Sequence, residues 1–351
     1  IIGTVGASMY LIGVGFLFVA TGTLNMVDLA TAIPQQAGYG NPLILTAFAF
    51  VFVGFAIKIA LFPLHTWQPD AYQRAPDGAT PLIAALVSTV SAYALFRLVY
   101  TVFTVEFLVS IPHASEVVLT VGSISVLAGS ALAVMQRRVK RMLAYSSVSQ
   151  FGLVVLAYGL MNDTALVGAL VHLIGHAIMK GGLFLAVGTI AAGTGARTVE
   201  EYAGLAKRMP FVAGSLAVLG IALVGVPPSI GFLGKWFIAV GAVEAGAWPV
   251  AVVIFLSTML TLGYIARLLE KMYFTPPASG AYTPADPLAA DGGESSAPSA
   301  PRNPGAVGPG TVSAGMLGVT VLAALVAVAL GFSGGAFESL LGPFVEVILN
   351  G

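Results

Sequence analysis

Long hydrophobic runs separated by short polar segments dominate the pattern along the chain. Nine are long enough to cross a hydrocarbon core of about 30 Å, which takes a helix of roughly 20 apolar residues. The pattern therefore predicts an all-α fold, a polytopic membrane helix bundle with about nine spans. The runs cover approximately residues 3–24, 43–75, 80–103, 117–136, 141–160, 164–192, 210–243, 248–270 and 312–332.

Two of these runs are too long for one straight span, and both carry prolines near the middle. Pro63 and Pro69 lie in the second run, and Pro227 and Pro228 lie in the seventh. Proline removes a helical donor and clashes with the preceding turn, so both spans are predicted to be broken. Irregular backbone at membrane depth survives only inside protein or beside a water-filled cavity, and transporters place ion sites there.

The composition agrees with a membrane protein and excludes several functions. Hydrophobic residues make up 58% of the chain and charged residues 9%, whereas a soluble domain carries about 25% charged residues. The formal net charge is zero, which gives no case for a nucleic-acid partner. The sequence has no cysteine, which excludes thiolate zinc sites and cysteine-ligated iron–sulfur clusters. We expect no cofactor and no redox or hydrolytic site in this chain.

The basic residues indicate an orientation. Three lysines fall inside spans, and Arg97 lies near the end of another. With nine alternating spans, the other eleven basic residues all lie on one side, as the positive-inside rule requires of the cytoplasmic side. The chain is therefore predicted to be a multi-pass protein of the cytoplasmic membrane. The eleven are Arg74, Arg137, Arg138, Lys140, Arg141, Arg197, Lys207, Arg208, Arg267, Lys271 and Arg302.

The C-terminal part of the chain differs in composition from the rest. Residues 275–311 are rich in Pro, Gly, Ala and Ser, a composition that cannot bury enough apolar surface to fold, and they are predicted to form a disordered cytoplasmic linker. Residues 312–351 are predicted to form the last transmembrane helix and an outer tail along the membrane interface. Because the sequence begins with Ile1 inside a hydrophobic run, we interpret it as a piece of a longer protein.

Five ionisable residues are predicted at membrane depth, where a charge costs about 3 kcal/mol or more. Lys58 precedes the prolines of the first broken span and Lys235 follows those of the second. His172, His176 and Lys180 are spaced by four, so they share a helix face with steps of about 6 Å along the axis. Burial disfavours the charged form of a lysine, and histidine titrates near neutral pH. Bridged by water, such a row could relay protons.

These residues also have structural interpretations. Buried lysines can serve only to pair with neighbours, Arg97 can extend to the interface, and His65 and Trp67 can be interfacial anchors. The two histidines spaced by four lack a neighbouring glutamate and a third ligand, so no metal site is predicted. Small hydroxyls commonly join membrane helices, which favours packing over lining of a water path for Ser88, Thr89, Ser91, Ser146, Ser147, Ser149 and Gln150.

Four segments together resemble one known family. Residues 58–71 (KIALFPLHTWQPDA) look like the broken seventh helix of antiporter-like proton-pumping subunits, and residues 141–150 (RMLAYSSVSQ) are similar to their tenth-helix signature. Residues 172–180 and 227–235 resemble their eleventh helix and their broken twelfth helix. The family includes subunits of respiratory NADH:quinone oxidoreductase, membrane-bound hydrogenase subunits and Mrp-type Na+/H+ antiporters. The segment TGTLNM at residues 21–26, followed by Asp28, resembles the Mrp antiporter branch.

The resemblance implies a full fold of about fourteen helices with two inverted five-helix repeats. This chain would begin at the sixth helix, N-terminally truncated, with residues 1–103 as the remainder of the first repeat and residues 117–272 as the second. Lys58 would be the central lysine of the first half-channel. His176 and Lys180 would bridge to Lys235, the terminal lysine near the outer exit.

Two departures from the family pattern matter. The family's lysine pairs with a glutamate on the fifth helix, and no acidic residue lies in the first span here. The family also usually has Lys or His in the eighth helix, four residues before a tyrosine. Counting back from Tyr93 gives Thr89, which cannot carry a charge. Either water fills that relay step, or coupling differs from that of other members.

The leading hypothesis is a proton-translocating subunit of a multisubunit cation/proton antiporter, with a relay of Lys58, Thr89, His172, His176, Lys180 and Lys235. One alternative is a proton-pumping subunit of an NADH:quinone oxidoreductase or membrane-bound hydrogenase, and the other is a structural subunit without transport activity. The expected partners are other membrane subunits, the lipid bilayer, protons and, in an antiporter, Na+.

Overall fold

Backbone groups inside a bilayer must find hydrogen-bond partners within the protein, and this chain meets that requirement with helices. A computed structural model describes residues 2–276 and 313–350, which contain no β-strand. The helices are α1 (Ile2–Thr21), α2 (Met26–Ala32), α3 (Pro42–Lys58), α4 (Trp67–Arg74), α5 (Thr80–Leu82), α6 (Ser88–Leu98), α7 (Thr104–Ser110), α8 (Ala114–Val134), α9 (Val139–Leu160), α10 (Asp163–Thr194), α11 (Leu205–Arg208), α12 (Pro210–Val224), α13 (Ile230–Glu244), α14 (Trp248–Phe274), α15 (Ala314–Ala329) and α16 (Gly334–Asn350).

The predicted all-α membrane bundle with two broken spans is confirmed. In the described ranges, seven helical stretches are long and apolar enough to cross a membrane, and α3 and α12 are shorter apolar helices. These two end at the predicted breaks, where the chain restarts as α4 and α13. The seven stretches are Ile2–Thr21, Thr80–Ser110, Ala114–Val134, Val139–Leu160, Asp163–Thr194, Trp248–Phe274 and Ala314–Phe332.

The third span is longer than its hydropathy predicts. The pattern leaves residues 104–116 between two predicted spans, but helical structure extends from Thr80 to Ser110, with π-helical segments at Ile83–Val87 and Val99–Phe103 and an interruption at Thr104, where φ is +69°. Burial explains the extension, because Phe107 and Leu108 are only 1% and 2% exposed. Packing of these two side chains against other parts of the protein therefore stabilises the additional helical turns.

Helices α9 and α10 form the centre of the bundle. Of the 18 residues in the apolar stretch that defines each span, 94% are buried within the protein in α9 and 72% in α10. The corresponding share is 17% in α1 and in the last span, so those helices present most of their surface outward. The face of α10 that carries the histidines therefore lies among other helices and away from lipid.

Glycines bring α8 and α9 into close contact. A side-chain carbon on Gly129 would lie 2.5 Å from the Ser149 nitrogen, and one on Gly152 would lie 2.7 Å from the Val126 nitrogen. Small residues let membrane helices approach so closely that dispersion contacts and hydroxyl bonds hold them together. Ser130 lies 2.7 Å from Ser149 across this contact, which agrees with the packing role expected of these hydroxyls.

Ion pairs organise the loops that carry the basic residues. Asp77 lies 2.6 Å from the Lys140 ammonium and 3.7 Å from the Arg197 guanidinium. Glu201 accepts hydrogen bonds from the backbone N–H groups of Arg197 and Thr198, and these bonds hold the pKa of Glu201 below its usual value. The loops are thus tied to the ends of α9 and α10.

The C-terminal part matches the predicted last span. Helix continues from Ala314 to Phe332, and Gly331 lies against the second break, because a side-chain carbon there would be 2.5 Å from the Ser229 nitrogen. The predicted tail forms α16, whose Phe344 packs on Phe96 with ring centroids 6.4 Å apart; its position at the interface stays a prediction. Most of the predicted linker, residues 277–311, lies outside the described residues.

We predict that Gly129→Ala destabilises the protein, because an added methyl group meets backbone that cannot move freely. Overpacking of this kind costs about 1–3 kcal/mol. Gly263→Ala on α14 is the matched control, since nothing lies within 4 Å of the added carbon. Thermal unfolding of both variants in detergent checks the prediction, and equal midpoints for the two would contradict it.

Candidate functional site

The first break begins where α3 ends at Lys58. The carbonyls at the end of a helix have no partner within it, and here the indole N–H of Trp67 donates to the Ile57 carbonyl at 2.8 Å. The backbone N–H of Phe62 donates to Ser125 Oγ at 3.2 Å. The irregular segment is therefore held by side chains, with the half-exposed Lys58 at its edge.

The second break is held by its own lysine. Lys235 Nζ donates to the carbonyls of Leu223 at 3.0 Å and Val224 at 2.8 Å, the last two residues of α12. Gly225 has a φ of +94°, a conformation that favours glycine, and it lets the chain turn away beside the lysine stem. Ser229 then caps α13 by accepting the backbone N–H of Phe232 at 3.2 Å. The ammonium thus lies at the negative end of the α12 dipole.

The three predicted residues of α10 are buried on one face. His172, His176 and Lys180 are 0%, 1% and 0% exposed. Lys180 Nζ donates to the Leu143 carbonyl at 2.8 Å and to Ser146 Oγ, both on α9. Ser146 was expected only to pack helices, and its bond to the ammonium could not be read from spacing along the chain.

The histidines have contacts that leave ring nitrogens free. His176 Nδ1 lies 3.4 Å from Thr89 Oγ1, and the Phe151 ring lies 4.4 Å from the His176 ring. Among the described residues, His176 Nε2 and both ring nitrogens of His172 have no hydrogen-bond partner. A buried polar atom without a partner costs about 1–3 kcal/mol. Water is the partner that suits such atoms best.

Helix α13 brings Lys235 beside His172. A side-chain carbon on Gly234 would lie 2.7 Å from His172 Cβ and 2.9 Å from His172 Nδ1. The backbone before Lys235 therefore touches the histidine. The structure brings together Thr89 with His176, and Gly234, the residue before Lys235, with His172. Lys58 lies at the other break.

Within the described parts of the chain, Lys180 and Lys235 have no acidic partner. The five ion pairs there involve loop residues and helix ends, and neither Lys180 nor Lys235 belongs to one. Carbonyl and hydroxyl oxygens hold both ammonium groups. When the partner is a neutral oxygen, a lysine can lose its proton without leaving an unpaired carboxylate behind. Lys180 and Lys235 are therefore chemically able to gain and lose protons.

Two residues taken as possible anchors make contacts within the protein. His65 is 5% exposed and stacks on Phe62 with centroids 5.2 Å apart, and its role as an interfacial anchor stays a prediction. Trp67 is half-buried and bonds to α3.

The remaining histidine, His113, pairs with Glu116 at 2.7 Å on the surface.

A buried polar cluster was missed in the sequence. Gln68 and Tyr72 lie on α4, and Ser88 begins α6. Gln68 Nε2 donates to Tyr72 Oη at 3.0 Å and to Ser88 Oγ at 3.2 Å. The available signal was the i, i+4 spacing of Gln68 and Tyr72, which puts two polar side chains on one face of the half-helix.

The fold and site define an integral, multi-pass membrane protein with two broken helices and a buried row of titratable bases. The chain belongs to the transmembrane family described as NADH:quinone oxidoreductase/Mrp antiporter, TM, which matches residues 1–261. The resemblance noted in the sequence is thereby confirmed at the level of the family.

Both branches of the family occur among the relatives. The chain is 42% identical over 273 residues to the N subunit of the NADH-quinone oxidoreductase of Desulforudis audaxviator, covering 78% of this chain and 54% of that protein. It is 30% identical over 270 residues to a Na(+)/H(+) antiporter subunit of Bacillus subtilis, covering 77% and 54%. The chain thus spans about half the length of these relatives.

The fold is shared with one chain of a membrane complex of known structure. A chain of the Mrp complex from Dietzia sp. DQ12-45-1b matches with a TM-score of 0.80 and 26% identity. The match covers 99% of this chain and 68% of that one. The chain's relatives are therefore subunits of membrane complexes.

We predict that Ser146→Ala lowers stability, because it removes one of the two bonds that hold the Lys180 ammonium. The expected loss is about 1–3 kcal/mol, as for a buried charged group that loses a partner. Ser147→Ala is the control, since Ser147 bonds only to a carbonyl of its own helix. Chemical or thermal unfolding compares the two, and a Ser146→Ala variant as stable as the control would refute the assignment.

Proposed function

We propose that this chain relays protons across the membrane as one subunit of a multisubunit ion-translocating complex. The observation that carries the proposal is that Lys180 and Lys235 are buried and, among the residues the structure describes, bonded only to neutral oxygens. A base held in this way exchanges its proton without breaking an ion pair. Membership of the family and the free histidine nitrogens support the same function.

In this proposal the protons move along α10 by exchange through water. A protonated Lys180 gives a proton to a bridging water, which passes one of its own to His176; the lysine is left neutral and the histidine charged. Like charges in a medium of low dielectric repel strongly, so a proton on one base favours loss of the proton from the next. Lys235 receives the proton through His172, beside which the backbone of the preceding Gly234 packs.

The sidedness and repeat organisation belong to the same proposal. The eleven basic residues at span ends and in loops support a cytoplasmic membrane with these ends and loops on the cytoplasmic side. Each proposed repeat, residues 1–103 and residues 117–272, carries one broken helix with a lysine at the break. Lys58 would then be the relay group of the first repeat and Lys235 that of the second.

Two kinds of complex fit this function. The sequence motif at residues 21–26 favours a Na+/H+ antiporter, although in the structure Asn25 there caps α2 through the Val27 backbone. The higher identity, 42% against 30% over similar lengths, is to the oxidoreductase relative and favours redox-driven pumping. Proton flux measured in native vesicles distinguishes the two complexes. Flux that requires an oxidisable substrate would establish the redox complex, and flux driven by a Na+ gradient alone would establish the antiporter.

We predict that Lys235→Ala in the intact complex abolishes proton translocation, because the last base of the relay is lost. A fall of about a hundredfold is expected for removal of a proton-transfer group. Lys207→Ala, which changes an exposed lysine on the short helix α11, is the control. Proton flux in membrane vesicles, with subunit content checked by immunoblot, measures the effect. A fully assembled Lys235→Ala complex with normal flux would leave a structural subunit as the better explanation.

We predict that Lys180→Ala weakens coupling in an assembled complex, because His176 and Lys235 then lose the charge that shifts their protonation. The ratio of protons moved to the driving reaction, measured in the same vesicles, is expected to fall. An unchanged ratio with normal assembly would remove Lys180 from the relay.

A further inference from the structure

The polar cluster of Gln68, Tyr72 and Ser88 is buried more completely than helix packing requires. The three residues are 0%, 1% and 0% exposed, and the two hydroxyl oxygens lie 3.4 Å apart. Polar side chains between membrane helices commonly mark ion or proton pathways. A leucine in place of Gln68 would fill similar space without any need for partners.

The hydrogen bonds of this cluster leave one free donor and one free acceptor. The Gln68 amide nitrogen uses its two hydrogens on the two hydroxyl oxygens. One hydroxyl can donate to the other, so the second hydroxyl hydrogen remains available. Gln68 Oε1 is fully buried and has no hydrogen-bond partner among the residues described. Accepting a proton on one side and giving one on the other are the two functions that a proton link needs.

The cluster lies between the first break and α10. Gln68 follows that break directly, and its backbone N–H donates to the His65 carbonyl at 3.1 Å. On the other side, the Tyr72 ring packs against Phe184 of α10 with centroids 5.5 Å apart. Phe184 is one turn beyond Lys180, so the cluster adjoins the stretch of α10 that carries the buried bases.

A π-helical segment connects the cluster to His176. Ile83–Val87 is π-helical and leads directly into Ser88 and Thr89; such segments frequently occur at functional sites. Consecutive helical residues point about 100° apart. Ser88 can therefore contact Gln68 of α4 while Thr89 contacts His176 of α10 at 3.4 Å.

We propose that Gln68, Tyr72 and Ser88 form an uncharged proton-transfer link that joins the first broken helix to His176. This inference rests on the proposed function. An excess proton arriving from the first break converts a water bound at Gln68 Oε1 into a hydronium ion. That ion passes a proton to the oxygen of a cluster hydroxyl, and the hydroxyl releases the hydrogen it carried toward Thr89 and His176. The water and hydroxyl return to neutral, and one proton has moved.

The link explains how a chain with Thr89 in the eighth-helix position can keep a continuous relay. Thr89 can exchange a hydroxyl hydrogen but cannot store a charge. A neutral link carries protons between the bases without adding a further cation near His176 and Lys180. Each hydroxyl step needs reorientation before the next proton, so the link is expected to be slower than a lysine.

The test is Gln68→Leu in the intact complex, which removes the amide and keeps the volume. We expect proton flux to fall about tenfold with normal assembly. Tyr72→Phe removes one hydroxyl, keeps the ring on Phe184, and is expected to slow flux as well. Gln73→Leu, the same change on the same half-helix outside the cluster, is the matched control and is expected to retain flux.

A second substitution separates a proton-transfer role from a structural one. Thr89→Lys supplies a titratable group next to His176, so the double variant Gln68→Leu/Thr89→Lys is expected to recover flux. A packing defect caused by Gln68→Leu would not be repaired in this way. Flux equal to that of the Gln73→Leu control, or no recovery in the double variant, would overturn the link.

Lys235→Ala in the same vesicles separates the two levels of the argument. If Lys235→Ala abolishes flux while Gln68→Leu and Tyr72→Phe leave it normal, the link is wrong and the relay stands. If Lys235→Ala leaves flux normal, the proposed function fails, and the link fails with it.

Discussion

Helix ends inside a membrane leave carbonyl oxygens without donors, and the rest of this structure depends on how those oxygens are satisfied. In hydrocarbon each unpaired group costs several kcal/mol, so a broken helix needs a donor from elsewhere in the chain. Lys235 supplies it at the second break by bonding to Leu223 and Val224, and Trp67 supplies it at the first by bonding to Ile57. The break at α12 and the buried ammonium therefore stabilise each other.

This mutual dependence requires a rigid frame around the break. Helices α9 and α10 are enclosed by the others, and glycines such as Gly129 and Gly234 set the distances between neighbouring helices. Because Gly234 contacts His172 directly, the position of Lys235 is fixed relative to α10. Close packing in the centre thus serves the geometry of the bases, while the outer helices mainly provide the surface toward lipid.

The sequence predicts the features that depend on local pattern. Hydropathy locates the spans, prolines locate the breaks, and spacing by four places His172, His176 and Lys180 on one face. Features that arise from contacts between distant segments escape it. The bond from Trp67 to Ile57 exists because the chain turns back within the break, and helix as far as Ser110 exists because Phe107 finds a buried site. The contact of Ser88 with α4 depends on a π-helical segment that no residue pattern marked.

The two broken helices hold their lysines differently, and the difference bears on the proposed relay. Lys58 is half-exposed at the end of its half-helix, whereas Lys235 is buried under two carbonyls. In the proposed relay the bases of α10 are as deeply buried as Lys235, and Gly234, the residue before Lys235, touches His172. Since like charges in a low-dielectric interior repel strongly, strong mutual influence between protons is expected on α10 and α13.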